Sequence, residues 1–173
     1  MTVLHDQRRA VRERAGRLLA PGGPAAGLLP RGGRVRTPIP VREPGGRLHS
    51  WFVPLTAGGR LAGFLQLLPD LTMARASSFL RRPGHLEDCP DAGPWIDAAV
   101  VAARAAAHLR RGERAGRPYL TYDRHPSRLA WAVPVSGPRG TRRTIFVVGD
   151  HVYAGGRGET GIGGRLAGSI AGG

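Results

Sequence analysis

The chain of 173 residues contains no lysine and no asparagine, so all 26 of its basic side chains are arginines. With only 12 acidic residues, the formal net charge is +14, a balance that attracts nucleic acid, anionic lipid or an acidic protein partner. The two absences, beside abundant alanine, glycine and proline, are typical of a GC-rich bacterial genome. Codon usage therefore explains part of the arginine excess, and the arginines are scattered along the chain, so nucleic-acid binding stands as an alternative hypothesis.

Cysteine and long apolar runs are also scarce. Cys89 is the single cysteine, which excludes an internal disulfide and a metal site built from several cysteines. Charges interrupt the first residues too often for a secretory signal, and no apolar stretch reaches the roughly 18 residues of a membrane helix. We therefore expect a cytoplasmic protein without a membrane span, and we predict neither a metal nor a cofactor. The oligomeric state stays open.

Composition divides the chain into a first helix-plus-strands unit, an irregular acidic connector, a second such unit and a glycine-rich tail. These segments are residues 1–75 (with a Pro/Gly linker at 20–33), 76–93, 94–155 and 156–173. Apolar residues at helical spacing predict helices near the start of each unit, over residues 4–19 and 94–113. Alternating apolar residues between turn residues predict strands elsewhere, and the prolines at 38 and 40 predict an edge strand or an extended segment there. The fold class is therefore predicted as α+β, with two helices packed on antiparallel sheet.

A short sequence recurs. WFVPL at residues 51–55 is matched by WAVPV at residues 131–135, eighty residues later. When the two regions are aligned without a gap, Trp51 meets Trp131, and Asp70 meets Asp150. The matches fall at the same points of a strand–turn–strand pattern, which predicts an internal repeat of one helix-plus-strands unit.

The order helix, strand, strand, strand, which ends in IFVVGDHVY at residues 145–153, resembles the PepSY domain and the wider cystatin-like α+β class. This resemblance covers the second unit best and the first unit loosely. It implies two tandem cystatin-like units, and it implies a small non-catalytic module that binds or inhibits partners, peptidases among them.

The main functional prediction is therefore a non-catalytic module that binds a protein or peptide, as an inhibitor or accessory subunit. Large aromatic side chains are the usual anchors of such contacts, although the two tryptophans also suit a buried core. The predicted anchors are Trp51, Phe64, Trp131, Phe146 and Tyr153.

A small enzyme with a pocket between the two units is the first alternative. Its ionisable groups would be His125, Asp123 and Cys89, although the carboxylates beside Cys89 are expected to raise its thiol pKa and make it a poor nucleophile. Asp123 and His125 also suit an ordinary turn, where they cannot form a relay with a neighbouring serine.

Two further alternatives involve other surfaces. A nucleic-acid binder would present Tyr119 and Tyr122 among arginines on one face. A cargo or substrate protein would instead present its tail, where TGIGGRLAG resembles the short C-terminal peptides that load proteins into encapsulin shells. In that case Ile162, Leu166 and Ile170 would fill shallow pockets on the partner.

Overall fold

The computed structural model describes residues 2–125 and 127–155, with side chains from residue 5 onward. The helices are α1 (Thr2–Leu19), α2 (Gly93–Ile96) and α3 (Ala98–Ala106). The strands are β1 (Arg34–Val35), β2 (Ile39–Arg42), β3 (Leu48–Ala57), β4 (Arg60–Leu67), β5 (Met73–Ser78), β6 (Arg114–Ala115), β7 (Tyr119–Tyr122), β8 (Leu129–Ser136), β9 (Arg142–Val148) and β10 (His151–Gly155).

These strands form one continuous mixed sheet. Its main order is β10-β9-β8-β7-β2-β3-β4-β5, while β1 adds to β3 and β6 adds to β8. The first half of the chain supplies an antiparallel meander from β2 to β5, and the second half supplies another from β7 to β10. The two meanders meet at the centre, where β2 and β7 run parallel and Val41 lies opposite Leu120.

The predicted fold class is wrong. Among the described residues there are ten strands in a mixed sheet and three helices, whereas two helices on an antiparallel sheet of two cystatin-like units were expected. The difference arises at the parallel pair between β2 and β7, which joins the two meanders edge to edge. Apolar periodicity shows which residues form strands, but it does not show which strand edges pair.

Of the two alternatives predicted around the prolines at 38 and 40, the edge strand is wrong, because β2 pairs with β3 on one side and with β7 on the other. A proline is excluded from a central strand only where the ladder needs its N–H. The single residue pair with β7 lies at Val41, beyond both prolines. A central position is therefore compatible with this sequence.

One hydrophobic core lies between α1 and the first meander. Val11, Ala15 and Leu18 are buried at helical spacing on α1, and they pack in one cluster with Trp51 and Val53 of β3. Because successive side chains of a strand point to opposite faces, Phe52 lies on the other face of the sheet. The helix therefore covers only one face of the first half.

A second core contains Phe52 together with the residues that pack under α3. Val101 and Ala105 of α3 are fully buried and cluster with Val133 and Ile145 of the second meander. Since Phe52 belongs to this cluster, α3 lies on the face opposite α1. Each half thus carries its own helix on a different face of the shared sheet.

The two halves pair their strands in the same register, eighty residues apart. In the first half Trp51 lies opposite Leu67, and in the second half Trp131 lies opposite Val147. The short strands follow the same offset, because Arg34 lies opposite Thr56 in one half and Arg114 lies opposite Ser136 in the other. The aligned tryptophans therefore occupy corresponding positions in the sheet.

The helix predicted over residues 94–113 is shorter and is divided. Asp97 has extended backbone angles (φ −112°, ψ 108°), which separate α2 from α3. Its carboxylate accepts a hydrogen bond from the backbone N–H of Ala99 at 2.8 Å, so it caps the start of α3. The predicted helix is therefore two short helices that meet at Asp97.

An ion pair ties the segment after α3 to strand β9. Arg143 donates to both carboxylate oxygens of Glu113, at 2.9 and 2.7 Å, and also to the carbonyl oxygen of His108. The backbone N–H of Arg110 donates to the same carboxylate at 2.7 Å. The hydrogen bonds from Arg143 and then from the Arg110 backbone lower the pKa of Glu113 to about 2.

This pair predicts an acid-dependent contribution to stability. A carboxylate whose pKa is lowered in the folded state stabilises the fold above its ordinary pKa of 4.5, and the contribution is lost as pH falls toward 2. Glu113→Gln is therefore expected to lower the urea midpoint at pH 7 and to have little effect near pH 2. A difference between variant and parent that stays constant across this range would contradict the assignment.

Candidate functional site

A cavity of about 420 Å³ lies between the two halves of the sheet. The first half and the segment that follows it contribute Phe52, Phe64, Phe79 and Trp95 to its lining, while the second half contributes apolar residues from β8, the end of β9 and β10. Those apolar residues are Leu129, Val148 and Val152. Its volume and mainly apolar lining are those of a ligand or side-chain pocket.

The floor of the cavity is a row of aromatic rings. Ring centroids are 5.3 Å apart between Phe52 and Phe64, 6.0 Å between Phe64 and Phe79, and 6.3 Å between Phe79 and Trp95. These separations are the usual contact distances of tilted aromatic pairs. The four rings therefore form one continuous apolar surface.

The rim of the cavity carries positive charge. The guanidinium of Arg75 lies 5.4 Å from the centroid of the Phe64 ring, and it donates a hydrogen bond to the carbonyl oxygen of Ser127 at 3.2 Å. That bond connects β5 of the first half with the turn between β7 and β8 of the second. Arg128 also lines the cavity and is exposed. An acidic group beside an apolar one would therefore suit this site.

Asp123 is the single carboxylate of the described lining, and it is already engaged. The hydroxyl of Tyr153 donates to its carboxylate at 2.8 Å, and burial together with this hydrogen bond raises the pKa of Tyr153. The tyrosine therefore stays protonated and fixes Asp123. This leaves the cationic groups of the rim to interact with a ligand.

A glycine turn lies against Trp95. Gly149 joins β9 to β10 with φ of +55°, and a Cβ atom there would lie 3.2 Å from the Trp95 indole. Trp95 is also held from its backbone, since its carbonyl oxygen accepts a hydrogen bond from the Trp131 indole at 3.0 Å. Both the left-handed backbone and the close approach of the ring favour glycine at this turn.

The predicted anchors occupy different environments. Trp51 and Trp131 are 1% and 5% exposed and pack in the two cores. Phe64 and Tyr153 both line the cavity, and Tyr153, at 37% exposed, stacks on half-buried Phe146 with ring centroids 5.5 Å apart. The structure therefore brings Phe64 and Tyr153 to one site.

Sequence reasoning missed most of the lining. Phe52 directly follows Trp51, and its place on the opposite face was deducible from strand alternation. Phe79 lies just after β5 and Trp95 on α2, and neither position has a sequence signal that points to this cavity. Arg75 was one arginine among many. These residues meet only because the sheet brings the two halves together.

The three candidate catalytic residues do not form a reactive group. The Nδ1 atom of His125 lies 2.7 Å from the Ser127 hydroxyl, while Asp123 faces Tyr153 instead. Cys89 does not line this cavity, and it does not line a second, larger cleft that lies beside β2 and β7. No two of these three side chains contact each other through a hydrogen bond in the described part of the chain.

Cys89 is 2% exposed, and burial and then the neighbouring Asp88 raise the pKa of its thiol. Since the thiolate is the reactive form, we expect the native protein to react several-fold more slowly with a disulfide reagent than a free thiol does at pH 7.5. Unfolding in guanidinium chloride should restore the rate. Equal rates in the native and unfolded protein would contradict this burial.

Two other kinds of site are absent from residues 2–125 and 127–155. No group of three or more His, Cys, Asp or Glu residues there is arranged to hold a metal ion. None of the described helices combines the length and the apolar composition needed to cross a membrane. The predicted tail residues Ile162, Leu166 and Ile170 lie outside the described part of the chain.

The chain matches no protein-family model, no curated protein and no solved structure. Its resemblance to PepSY domains therefore stays a prediction. Any functional assignment rests on the cavity and on the side chains around it.

Proposed function

We propose that this protein is a non-catalytic binding module that holds a protein or peptide partner in the cavity between its two halves. The observation that carries the proposal is an aromatic floor under a rim of arginines, with both halves contributing. A cytoplasmic setting is part of the proposal, as is the absence of a catalytic step.

The lining indicates the chemistry of the segment that enters. Burying a bulky aliphatic or aromatic side chain against Phe52 and Phe64 would provide most of the affinity, at about 25 cal/mol per Å² of apolar area buried. An acidic residue next to it would pair with Arg75 or Arg128 at the rim, which favours orientation and specificity. The partner is therefore a segment in which a large apolar residue is followed or preceded by Asp or Glu.

Two observations favour binding over catalysis. Tyr153 and Asp123 form a hydrogen-bonded ionisable pair in the lining, and the raised pKa of Tyr153 keeps the phenol protonated and unreactive. Cys89 and His125 line no part of this cavity. The described site thus offers shape and charge, and it lacks an activated nucleophile.

Selection from a random peptide library on the immobilised full-length protein tests this proposal. We expect enriched peptides to share a large apolar residue beside an acidic one. A selected peptide should bind Ser77→Phe about tenfold more weakly or worse, because the new ring occupies the cavity that Ser77 lines.

Ser136→Phe is the matched control, since Ser136 is exposed at the end of β8 and lines no part of the cavity. It should bind the peptide as the parent does. Equal binding to Ser77→Phe and the parent, or a selection that enriches no shared pattern, would refute the proposed site.

A further inference from the structure

A second cavity, separate from the proposed partner site, lies where the two central strands begin. It is a cleft of about 980 Å³, and it is lined by the segments that lead into β2 and β7, by the two strands themselves and by the turn that follows β2. These strands run parallel, and Val41 pairs with Leu120. The N-terminal helix α1 and the start of α3 also border the cleft, through Arg8 and Asp97.

Arginines converge on this cleft from several elements. Arg8 lies on α1, Arg36 precedes β2, Arg42 is the last residue of β2, and Arg117 precedes β7. Arg36 and Arg117 are exposed. They are distant in sequence, so the sheet concentrates positive charge that is scattered along the chain.

These guanidinium groups lack acidic partners. In the described part of the chain, none of the four forms an ion pair with a carboxylate, although seven other arginines do. The Nε atom of Arg8 is buried without a hydrogen-bond partner there. Asp97 is the one carboxylate of the described lining, and it caps α3. The cleft therefore has an excess of positive charge that an anion would neutralise.

The walls show how a ligand would be held. Pro38, Pro40 and Pro118 line the cleft and carry no backbone N–H. The backbone of this wall is therefore poorly suited to pairing with an added peptide strand. Tyr119 supplies a half-buried aromatic ring at the same place. Arginines for phosphate groups and an aromatic face for a base are the components of nucleotide recognition.

We propose that this cleft binds nucleoside phosphates, with Arg36 and Arg117 on the phosphates and the Tyr119 ring against the base. The same chemistry occurs in a free nucleoside triphosphate and in a short single strand of nucleic acid. An acidic peptide is disfavoured, because it has no planar base to pack against the tyrosine.

The test measures fluorescence anisotropy of the full chain with two probes, a labelled oligothymidylate of eight nucleotides and a labelled adenosine triphosphate. The double variant Arg36→Gln/Arg117→Gln should weaken binding of at least one probe by about tenfold or more. If the strand is the ligand, the slope of log K against log salt should also become shallower by about 0.7 for each phosphate that the variant no longer neutralises. Binding of only the strand or only the triphosphate would identify the source of the ligand.

Arg81→Gln/Arg111→Gln is the matched control. It removes the same charge from exposed positions that line neither cavity, and it should change affinity by less than about twofold. Equal weakening by both double variants would overturn the proposal, since binding would then follow net charge alone. Failure of both probes to bind would also overturn the proposal. Displacement of the bound probes by polyglutamate would overturn it too.

Discussion

Alanine at Trp51 or at Trp131 is expected to lower the free energy of unfolding by about 3–5 kcal/mol, the usual cost of deleting a large aromatic side chain from a packed core. Trp51 packs under α1, and Trp131 packs in the core beneath α3. Trp131 also donates to the Trp95 carbonyl, so its loss should loosen the floor of the partner cavity. Urea denaturation followed by far-ultraviolet circular dichroism measures both changes.

Tyr153→Ala provides the comparison for these tryptophans. Tyr153 is 37% exposed, and its replacement should cost only about 1 kcal/mol. Trp131→Phe keeps an aromatic ring and should be milder than Trp131→Ala. If the two tryptophan variants were as stable as the parent and lost only partner binding, the tryptophans would be surface anchors, and their assignment to the cores would be wrong.

A second large effect is expected where the two halves join. Val41 is fully buried opposite Leu120, so Val41→Asp places an unpaired carboxylate in the core and should cost about 4 kcal/mol or more. Because one sheet contains both halves, the loss should spread beyond the first meander. Amide hydrogen exchange should speed up at Val53 and at Val133 together.

Ser136→Asp introduces the same side chain at an exposed position on β8 and should leave exchange nearly unchanged. Faster exchange confined to the first half of Val41→Asp would show that the halves unfold independently. That result would contradict the continuous sheet.

The aligned tryptophans show how far the sequence predicts this fold. The predicted repeat aligns Trp51 with Trp131, and in the sheet these two residues lie opposite Leu67 and Val147. The alternation of apolar residues is sufficient to place each tryptophan on a strand, because this alternation depends only on neighbouring residues. That the two units are copies of one ancestral unit stays a prediction.

The joining of the units is not predictable in the same way. The rule that prolines mark an edge strand puts residues 34–41 at the border of the sheet, yet β2 is central because Val41 alone meets β7. The pairing of Val41 with Leu120 spans a long separation in sequence, and no local pattern encodes it. The division at Asp97 escapes prediction for another reason, since an alanine-rich stretch continues the helical spacing through it.

The candidate site is predictable only in part. Phe64 and Tyr153 are predicted from the sequence as anchors, and both line the cavity. Their companions Phe52 and Trp95 come from distant parts of the chain, so the cavity exists only in the assembled sheet. The same reason explains the cleft at β2 and β7, where Arg36 and Arg117 line one cavity although they lie far apart in the sequence.

The proposal that one partner contacts both halves through the cavity can be tested by following backbone amide resonances of the full chain. The titrant is a peptide from the library selection. We expect the largest shifts around the cavity on both sides of the junction, at Ser77 and Phe79 in the first half and at Leu129 and Val152 in the second. Shifts confined to one half, or located away from these residues, would show that the partner does not bind across the junction.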